Sequence, residues 1–270
     1  MAMAEQSDET DSPRTRSTAT TTLEVINVLK RQSGATVTEM AEKMDCSKGG
    51  AYNHLVTLRE NDFIVKDGDE YKLSPRFILM GEHVRQDNIL YQFGKEELDN
   101  LIKRTGEYGQ LMTEEHGLAI VIYLYRGEKA IGSNYPKHMK RKPLYLHHLS
   151  AGKSIMAHLS KERVEEIINK HGLKKRTDST ITDKEGLYEE LEQIREQGYA
   201  YNDEEEVEGL RAVGAPITGP NGDILGALSL SGPKSRLHSE RFQKEIPEKV
   251  TETADTIEIN IQMEHNTDQF

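Results

Sequence analysis

The chain has 270 residues, of which 35% are hydrophobic and 30% are charged, and its formal net charge is -11. This composition is typical of a globular protein with a heavily solvated surface, and the length suits one large domain or two ordinary ones. No run of about 18 apolar residues occurs, and the polar N-terminus lacks the apolar core of a secretory signal. Cys46 is the single cysteine, which excludes an intrachain disulfide and a paired-cysteine zinc site and favours a cytoplasmic protein.

The acidic residues are unevenly distributed along the chain. Residues 16–76 contain nine acidic and nine basic residues, whereas residues 77–270 contain 33 acidic and 25 basic residues. An acidic protein surface repels DNA, which is itself negatively charged. The neutral segment is therefore the part of the chain in which a DNA-binding module is expected.

The N-terminal quarter of the sequence predicts a tail and three short helices. Residues 1–17 are poor in hydrophobic residues and rich in Ser, Thr and Asp, which predicts a disordered tail. Apolar spacing predicts a helix over 20–32, and Thr36 opens a capping box that starts a second helix. The stretch CSKGGAYNHLVTL at 46–58 predicts a third helix, with Ser47 as its N-cap.

Two adjacent glycines, Gly49 and Gly50, lie in the first turn of this third helix. Each glycine weakens a helix by about 1 kcal/mol relative to alanine. Glycine in a first turn lets another surface approach the free backbone N–H groups closely, and a DNA backbone or base edge is such a surface. The alternative is a kinked or frayed start to the helix.

A β-hairpin follows the third helix. Apolar strand segments at 63–65 and 71–73 flank Asp67 and Gly68, and Asp-Gly is a strong signal for a hairpin turn. Three short helices followed by a hairpin describe a winged helix-turn-helix domain over 18–76, in which the hairpin is the wing.

The remainder of the chain predicts a linker and a second domain. A long helix over 77–105, interrupted by Gly81 and Gly94, is expected to link the two domains. Residues 106–264 alternate strand segments with amphipathic helices and contain no internal repeat, which predicts a domain with an antiparallel sheet flanked by helices. The predicted fold class is therefore α+β.

Three segments in this order resemble the IclR family of transcriptional regulators, over about residues 20–260. Residues 22–81 resemble the family's N-terminal winged helix-turn-helix, and LHHLSAGKSIMAHLS at 146–160 resembles the motif that opens its ligand domain. The most specific segment is GYAYNDEEEVEGLRAVGAPITGPNGDILGALSLSGPKSR at 198–236, which combines Gly-Tyr, a run of acids, Gly-Leu-Arg, Ala-Pro and Ser-Gly-Pro.

The resemblance implies a DNA-binding domain joined by a helix to a GAF-like domain that binds a small-molecule effector, such as a sugar-derived or aromatic organic acid. It implies homodimers or homotetramers that bind a double-stranded DNA operator and control a catabolic operon, with no cofactor, catalytic residue or membrane partner. Many members carry Ser or Thr and β-branched residues where this chain has Gly49, Gly50 and Ala51, so the operator sequence does not carry over. The acidic composition also suits a protein from a salt-adapted archaeon.

Polar and small residues of the third helix, and two basic residues after it, are the candidates for DNA contact. Asparagine pairs bidentately with adenine, and lysine pairs with guanine or with phosphate. The candidates are Ser47, Lys48, Gly49, Gly50, Tyr52, Asn53, His54, Arg59 and Lys72. The alternative for each of them is an ordinary solvated surface residue.

A second set of residues is predicted to line the effector pocket. A helix that starts near Ser150 offers N–H groups to an anion, and Ser229 and Ser231 alternate on a strand and therefore share one face. The alternatives are two small core serines and a solvated acidic loop at 204–206, shaped by Pro216. The candidates are Ser150, Ala151, Gly152, Glu206, Pro216, Ser229 and Ser231.

Nucleotide hydrolysis and metal binding receive little support from the sequence. Gly152, Lys153 and Ser154 resemble the end of a phosphate-binding loop, but His147 stands where that motif requires a glycine. His147 and His148 are adjacent, and adjacent residues on a regular element point apart, so we expect no metal site there.

Two other functions are compatible with the sequence. One is a metabolite-binding GAF-like protein whose N-terminal domain mediates protein–protein contacts, which the neutral charge of 16–76 favours. The other is a constitutive DNA-binding architectural protein whose C-terminal domain has a pocket filled by its own side chains.

Overall fold

The computed structural model describes residues 17–131 and 143–267, so the predicted tail at 1–17 lies outside the described residues except for Ser17. The chain forms two compact units that divide between His83 and Val84. The first unit contains three helices and a two-stranded hairpin, followed by the start of a fourth helix. Their bounds are α1 Ser17–Gln32, α2 Val37–Lys43, α3 Lys48–Glu60, β1 Ile64–Asp67 and β2 Glu70–Leu73.

Local side-chain caps define where α2 and α3 begin. Thr36 and Glu39 form the predicted capping box before α2, in which the Thr36 N–H donates to the Glu39 carboxylate at 2.8 Å. Ser47 caps α3, and its Oγ accepts from the Gly50 N–H at 3.1 Å. The three helices and the hairpin bury one shared core, whose members include Val25, Leu29, Met40, Leu55, Ile64 and Tyr71.

The helix expected over 77–105 is two helices. They are α4 Arg76–Gln86 and α5 Ile89–Thr105, and Asn88 caps α5 by accepting from the Tyr91 N–H at 3.2 Å. An N-cap residue has a non-helical backbone, so α4 cannot continue through Asn88. The spacing of apolar residues does not reveal this break. Gly81 and Gly94 lie within these helices and do not interrupt them. At Gly94 a Cβ would come within 2.9 Å of the Leu111 side chain, so that side chain would have to shift if alanine stood there.

The second unit is built on a five-stranded antiparallel sheet, which confirms the predicted α+β fold. The strands are β3 Tyr108–Glu115, β4 Leu118–Arg126, β5 Ala200–Asp203, β6 Leu210–Thr218 and β7 Ile224–Pro233. Their order across the sheet is β4-β3-β7-β6-β5. The further helices are α6 Ser150–His158, α7 Lys161–His171, α8 Lys184–Gln197 and α9 Ile246–Thr267, with a 3-10 turn at Leu146–His148 before α6 and a π turn at Arg241–Glu245 before α9.

Each face of this sheet supports its own hydrophobic core. On one face, residues such as Met112 and Ala227 pack with α6, α7 and α8. On the other face, Leu111 and Leu228 pack with α5 and α9. The alternation of neighbouring residues between the two cores is the period-2 pattern of a sheet buried on both sides. No helix in the described ranges combines the length and apolarity needed to span a lipid bilayer.

Candidate functional site

The third helix, α3, presents its polar residues on the surface of the first unit. Ser47, Lys48, Gly49, Tyr52 and Asn53 are exposed. A Cβ at Gly49 would meet no atom within 4 Å, and one at Gly50 would meet only Ser47 Oγ at 3.3 Å. Intramolecular packing therefore does not require either glycine, and the first turn of α3 is open to an external surface.

His54 differs from the other candidates on α3 because it is half-buried. Its Nδ1 atom and Thr22 Oγ1 on α1 are hydrogen-bonded at 2.9 Å. One ring nitrogen of His54 is thus engaged within the domain. Only the other nitrogen is left to contact an outside group.

Both basic residues predicted to contact phosphates are already paired with acids. Arg59 donates to Glu60 at 2.8 Å, and Lys72 on the wing donates to Asp67 at 2.7 Å and lies 3.6 Å from Glu70. The hydrogen bond that Lys72 donates to the Asp67 carboxylate raises the pKa of Lys72. These acids compete with phosphates for the same charges.

A polar patch crosses the α6 side of the sheet in the second unit. Ser229 lies opposite Gln110 on β3 and opposite Gly214 on β6. Directly opposite residues on antiparallel strands share a face. Ser229 and Ser231 are each 5% exposed. In the next row, Ser231 lies between Tyr108 and Ala212, and Ala212 pairs with Asn202 on the edge strand β5.

The N-terminus of α6 lies directly over this patch. A Cβ on Gly214 would come within 2.6 Å of the Ala151 nitrogen, so only glycine permits this approach. Gly152 is equally confined, because its Cβ would come within 2.2 Å of the Leu146 carbonyl oxygen. Leu149, the residue before α6, provides no side-chain cap. The structure therefore brings Ser150, Ala151 and Gly152 together with the two serines of β7.

Pro216 and Glu206, the other two predicted effector residues, are placed differently. Pro216 lies within strand β6 opposite Ala227, so the prediction that it shapes the acidic loop is wrong. It shares a face with Gly214 but lies toward the apolar residues Met112 and Ala227. Glu206 is half-buried in the loop between β5 and β6.

A buried ion cluster lies at the end of this patch and was missed in the sequence. Lys153 is 1% exposed, and its Nζ donates to Glu190 at 2.8 Å and to Glu205 at 2.7 Å. The solvated loop expected over 204–206 is therefore wrong for Glu205, which is 7% exposed. Burial raises the pKa of Glu205, and the nearby Lys153 opposes that shift.

Asn202 connects this ion cluster to the sheet. Its Oδ1 accepts from the Glu205 N–H at 3.0 Å, and its Nδ2 donates to the His148 carbonyl oxygen at 2.6 Å. A run of acids such as NDEEE gives no indication of which member turns inward. The signal that could have found the contact is Lys153, a lysine on an otherwise apolar helix face.

The two adjacent histidines do not point apart as the sequence predicts. Because they lie on a 3-10 turn, their ring centroids are 5.1 Å from each other. His147 Nε2 is hydrogen-bonded to the Lys174 carbonyl oxygen at 3.1 Å. Burial lowers the pKa of His148 to about 3, and His147, Arg176 and Lys153 contribute to this shift. Residues 17–131 and 143–267 contain no group of three or more His, Cys, Asp or Glu side chains that could hold a metal ion.

Comparisons with known proteins agree on one class. The chain matches the family model of the bacterial transcriptional regulator IclR C-terminal domain over residues 83–259. It is 36% identical to the probable HTH-type transcriptional regulator ArcR of Halobacterium salinarum, over 93% of this chain and 95% of that protein. It is 27% identical to the HTH-type transcriptional regulator KdgR of Escherichia coli, over 82% of this chain and 83% of that protein.

Solved structures are also similar to this chain. The crystal structure of the Thermotoga maritima IclR matches with a TM-score of 0.69 at 28% sequence identity, covering 91% of this chain and 98% of that chain. A match of this extent includes residues of both units.

Proposed function

The chain belongs to the IclR family of transcriptional regulators, and from that premise we propose that it is a cytoplasmic regulator that senses a small organic acid and controls a catabolic operon. The family is not enzymatic, and operator DNA is the partner that its regulators bind. The observation that supports a sensing role best is the buried polar patch on the sheet beneath the uncapped N-terminus of α6.

The operator is read by α3 in the major groove, with the hairpin beside it. Lys48, Tyr52 and Asn53 are exposed and supply the contacts to bases and phosphates. The glycine pair lets the first turn of α3 approach the duplex closely, because neither glycine is required by internal packing. Arg59 and Lys72 contact phosphates only after their acidic partners are displaced.

The effector carboxylate binds where α6 begins. The first-turn N–H groups carry the positive end of the helix dipole, and Ser229 and Ser231 offer hydroxyl donors from the sheet below. Binding shifts the balance between dimer or tetramer geometries and so changes the spacing of the two reading helices. The coupling is reciprocal, so operator DNA also changes the affinity for the effector.

The protein acts as a homodimer through α4, which has no buried residue. Ile78, Leu79 and Val84 on this helix are 73%, 72% and 68% exposed. An amphipathic helix that leaves its apolar residues in water gains stability when a partner covers them. A second copy of the chain is the partner that also supplies the second reading helix for a two-fold symmetric operator.

Replacing Leu79 by aspartate is expected to shift the dimer toward the monomer, because a charge at the interface would have to be desolvated. Sedimentation velocity at several protein concentrations measures this shift. Val207→Asp is the matched control, since Val207 is 43% exposed in the loop between β5 and β6. Equal dissociation of the Leu79→Asp and Val207→Asp dimers, or dissociation of neither, would contradict the role of α4.

DNA binding is tested by a genome-wide map of crosslinked DNA in wild type and in Lys48→Ala. We expect sharp wild-type peaks upstream of a catabolic operon and a loss of about tenfold in operator affinity for the variant, measured by fluorescence anisotropy. Lys30→Ala is the control, because Lys30 is also an exposed helical lysine of the first unit. No specific peaks under any carbon source would favour a metabolite-binding protein whose N-terminal domain mediates protein–protein contacts.

A further inference from the structure

Two polar side chains at the edge of the effector patch have hydrogen-bonding atoms without partners. His148 is 0% exposed and Glu205 is 7% exposed. Within the described part of the chain, three of their buried atoms have no hydrogen-bond partner. These atoms are the two ring nitrogens of His148 and the Oε2 oxygen of Glu205. Buried polar atoms are almost always paired, because an unpaired one loses its hydration without compensation.

Both side chains are held next to the candidate effector site. Asn202 binds the backbone of each, through the His148 carbonyl oxygen and the Glu205 N–H. Asn202 itself lies in the sheet row of Ala212 and Ser231. His148 precedes Ser150, the first residue of α6, by two positions, so its backbone adjoins the turn proposed to bind the effector carboxylate.

The chemistry of the unpaired atoms indicates which ligand group satisfies them. The His148 imidazole is uncharged near neutral pH, so it offers one donor and one acceptor. Glu205 Oε1 already accepts a hydrogen bond from Lys153, so Oε2 is the carboxylate oxygen that is left to accept one from a ligand. A hydroxyl group can donate to either acceptor and can also accept from the imidazole N–H. An apolar or aromatic group would leave all of these atoms unpaired.

We propose that His148 and Glu205 bind hydroxyl groups of the effector, so that the site takes a hydroxylated carboxylic acid. This inference rests on the proposed sensing function. The carboxylate lies at the first turn of α6 above the two serines of β7. The hydroxyl-bearing part extends toward Asn202, where the two unpaired side chains meet it.

The test compares two pairs of acids that differ only in their hydroxyl groups. Isothermal titration calorimetry on the full chain measures gluconate against hexanoate, and glycerate against propanoate. In the wild type, we expect at least one hydroxy acid to bind about tenfold or more tightly than its hydroxyl-free counterpart, because a site with buried polar groups rejects a ligand that leaves them unpaired. Equal affinities within both pairs, or no binding of either hydroxy acid, would overturn the proposal.

Variants identify the responsible side chains. His148→Leu is expected to lower hydroxy-acid affinity by about tenfold and to leave the affinity for the hydroxyl-free acid within about twofold. Glu190→Gln is the control, because it removes a partner of Lys153 but leaves both unpaired groups in place. Circular dichroism checks that His148→Leu is folded. If it is not, His148→Phe, which keeps a flat ring without hydrogen-bonding atoms, replaces it. Discrimination that survives in the folded variant would overturn the proposal.

Operator affinity in the same preparations separates this inference from the proposed function. If a hydroxyl-free acid changes operator affinity and the hydroxy acids do not, the chain is a sensor of another acid and only the present inference fails. If the protein binds no operator, the proposed function fails, whatever the acids show.

Discussion

Gly152→Ala is expected to destabilise the second unit by about 3 kcal/mol or more, which is the upper part of the range for inserting a methyl group into a close-packed site. The new Cβ would lie 2.2 Å from the Leu146 carbonyl oxygen and 2.6 Å from the Leu146 Cα. Both atoms belong to the backbone, so no side-chain rotation relieves the clash. Urea denaturation followed by far-UV circular dichroism measures the free energy of unfolding.

The matched control for this substitution is Gly81→Ala in α4. Gly81 is also a helical glycine, but a Cβ there would meet no atom within 4 Å. Alanine is the better helix former, so this variant should be more stable than the wild type by about 0.5–1 kcal/mol. If Gly152→Ala unfolds at the same urea concentration as the wild type, α6 does not lie as close to the 3-10 turn at Leu146–His148 as the structure places it.

The clash at Gly152 also carries a functional consequence. Relieving it would move the first turn of α6 away from Leu146, and that turn holds the N–H groups assigned to the effector carboxylate. We therefore expect any Gly152→Ala protein that stays folded to bind organic acids more weakly. Gly152 lets the helix N-terminus approach the Leu146 backbone, and Gly214 lets the same turn approach strand β6.

Sequence patterns predicted the parts of this fold that depend on near neighbours. The capping box at Thr36 and the N-cap at Ser47 involve residues three positions apart, and both are present. The break between α4 and α5 was missed because the apolar spacing runs through it, while the cap that causes it depends on Asn88 alone. Local signals therefore fixed the starts of α2 and α3 but did not reveal every helix end.

The candidate site could be predicted only in part, because its residues come from distant parts of the chain. The alternation of Ser229 and Ser231 is local and was read correctly as a shared face. Their neighbours Gln110 and Tyr108 are distant in the sequence and are brought close only by the strand order. The ion pair between Lys153 and Glu205 likewise joins α6 to the loop after β5, and no spacing rule relates the two residues.

Lys153→Met is expected to destabilise the second unit by about 3 to 5 kcal/mol near pH 7.5, the usual cost of removing one partner from a buried ion pair. Methionine nearly preserves the volume of the lysine stem, so the loss is electrostatic. The substitution removes the cation that pairs with the buried Glu205 carboxylate. Urea denaturation of wild type and variant at two pH values measures the loss.

The pH dependence of this loss follows from the direction of the Glu205 shift. Burial already raises the pKa of Glu205 above its ordinary value of 4.5, and removing Lys153 raises the pKa further. A carboxyl whose pKa is higher in the folded state than in the unfolded state binds its proton more tightly in the folded state. The stability that this contributes is fully present below the unfolded-state pKa and is lost as the pH rises through the folded-state pKa. The deficit of Lys153→Met should therefore be largest near pH 7.5 and much smaller near pH 4.5.

An exposed lysine gives the comparison that isolates burial. Lys184 forms a surface ion pair with Glu165 at 2.6 Å, with the two side chains 47% and 36% exposed. Water and ions screen such a pair, so Lys184→Met should change stability little at either pH. If Lys153→Met shows the same deficit at both pH values, the variant suffers from altered packing of α6, and the ionised Glu205 is not its cause. A deficit that disappears on acidification would show that Lys153 keeps this carboxylate charged inside the protein.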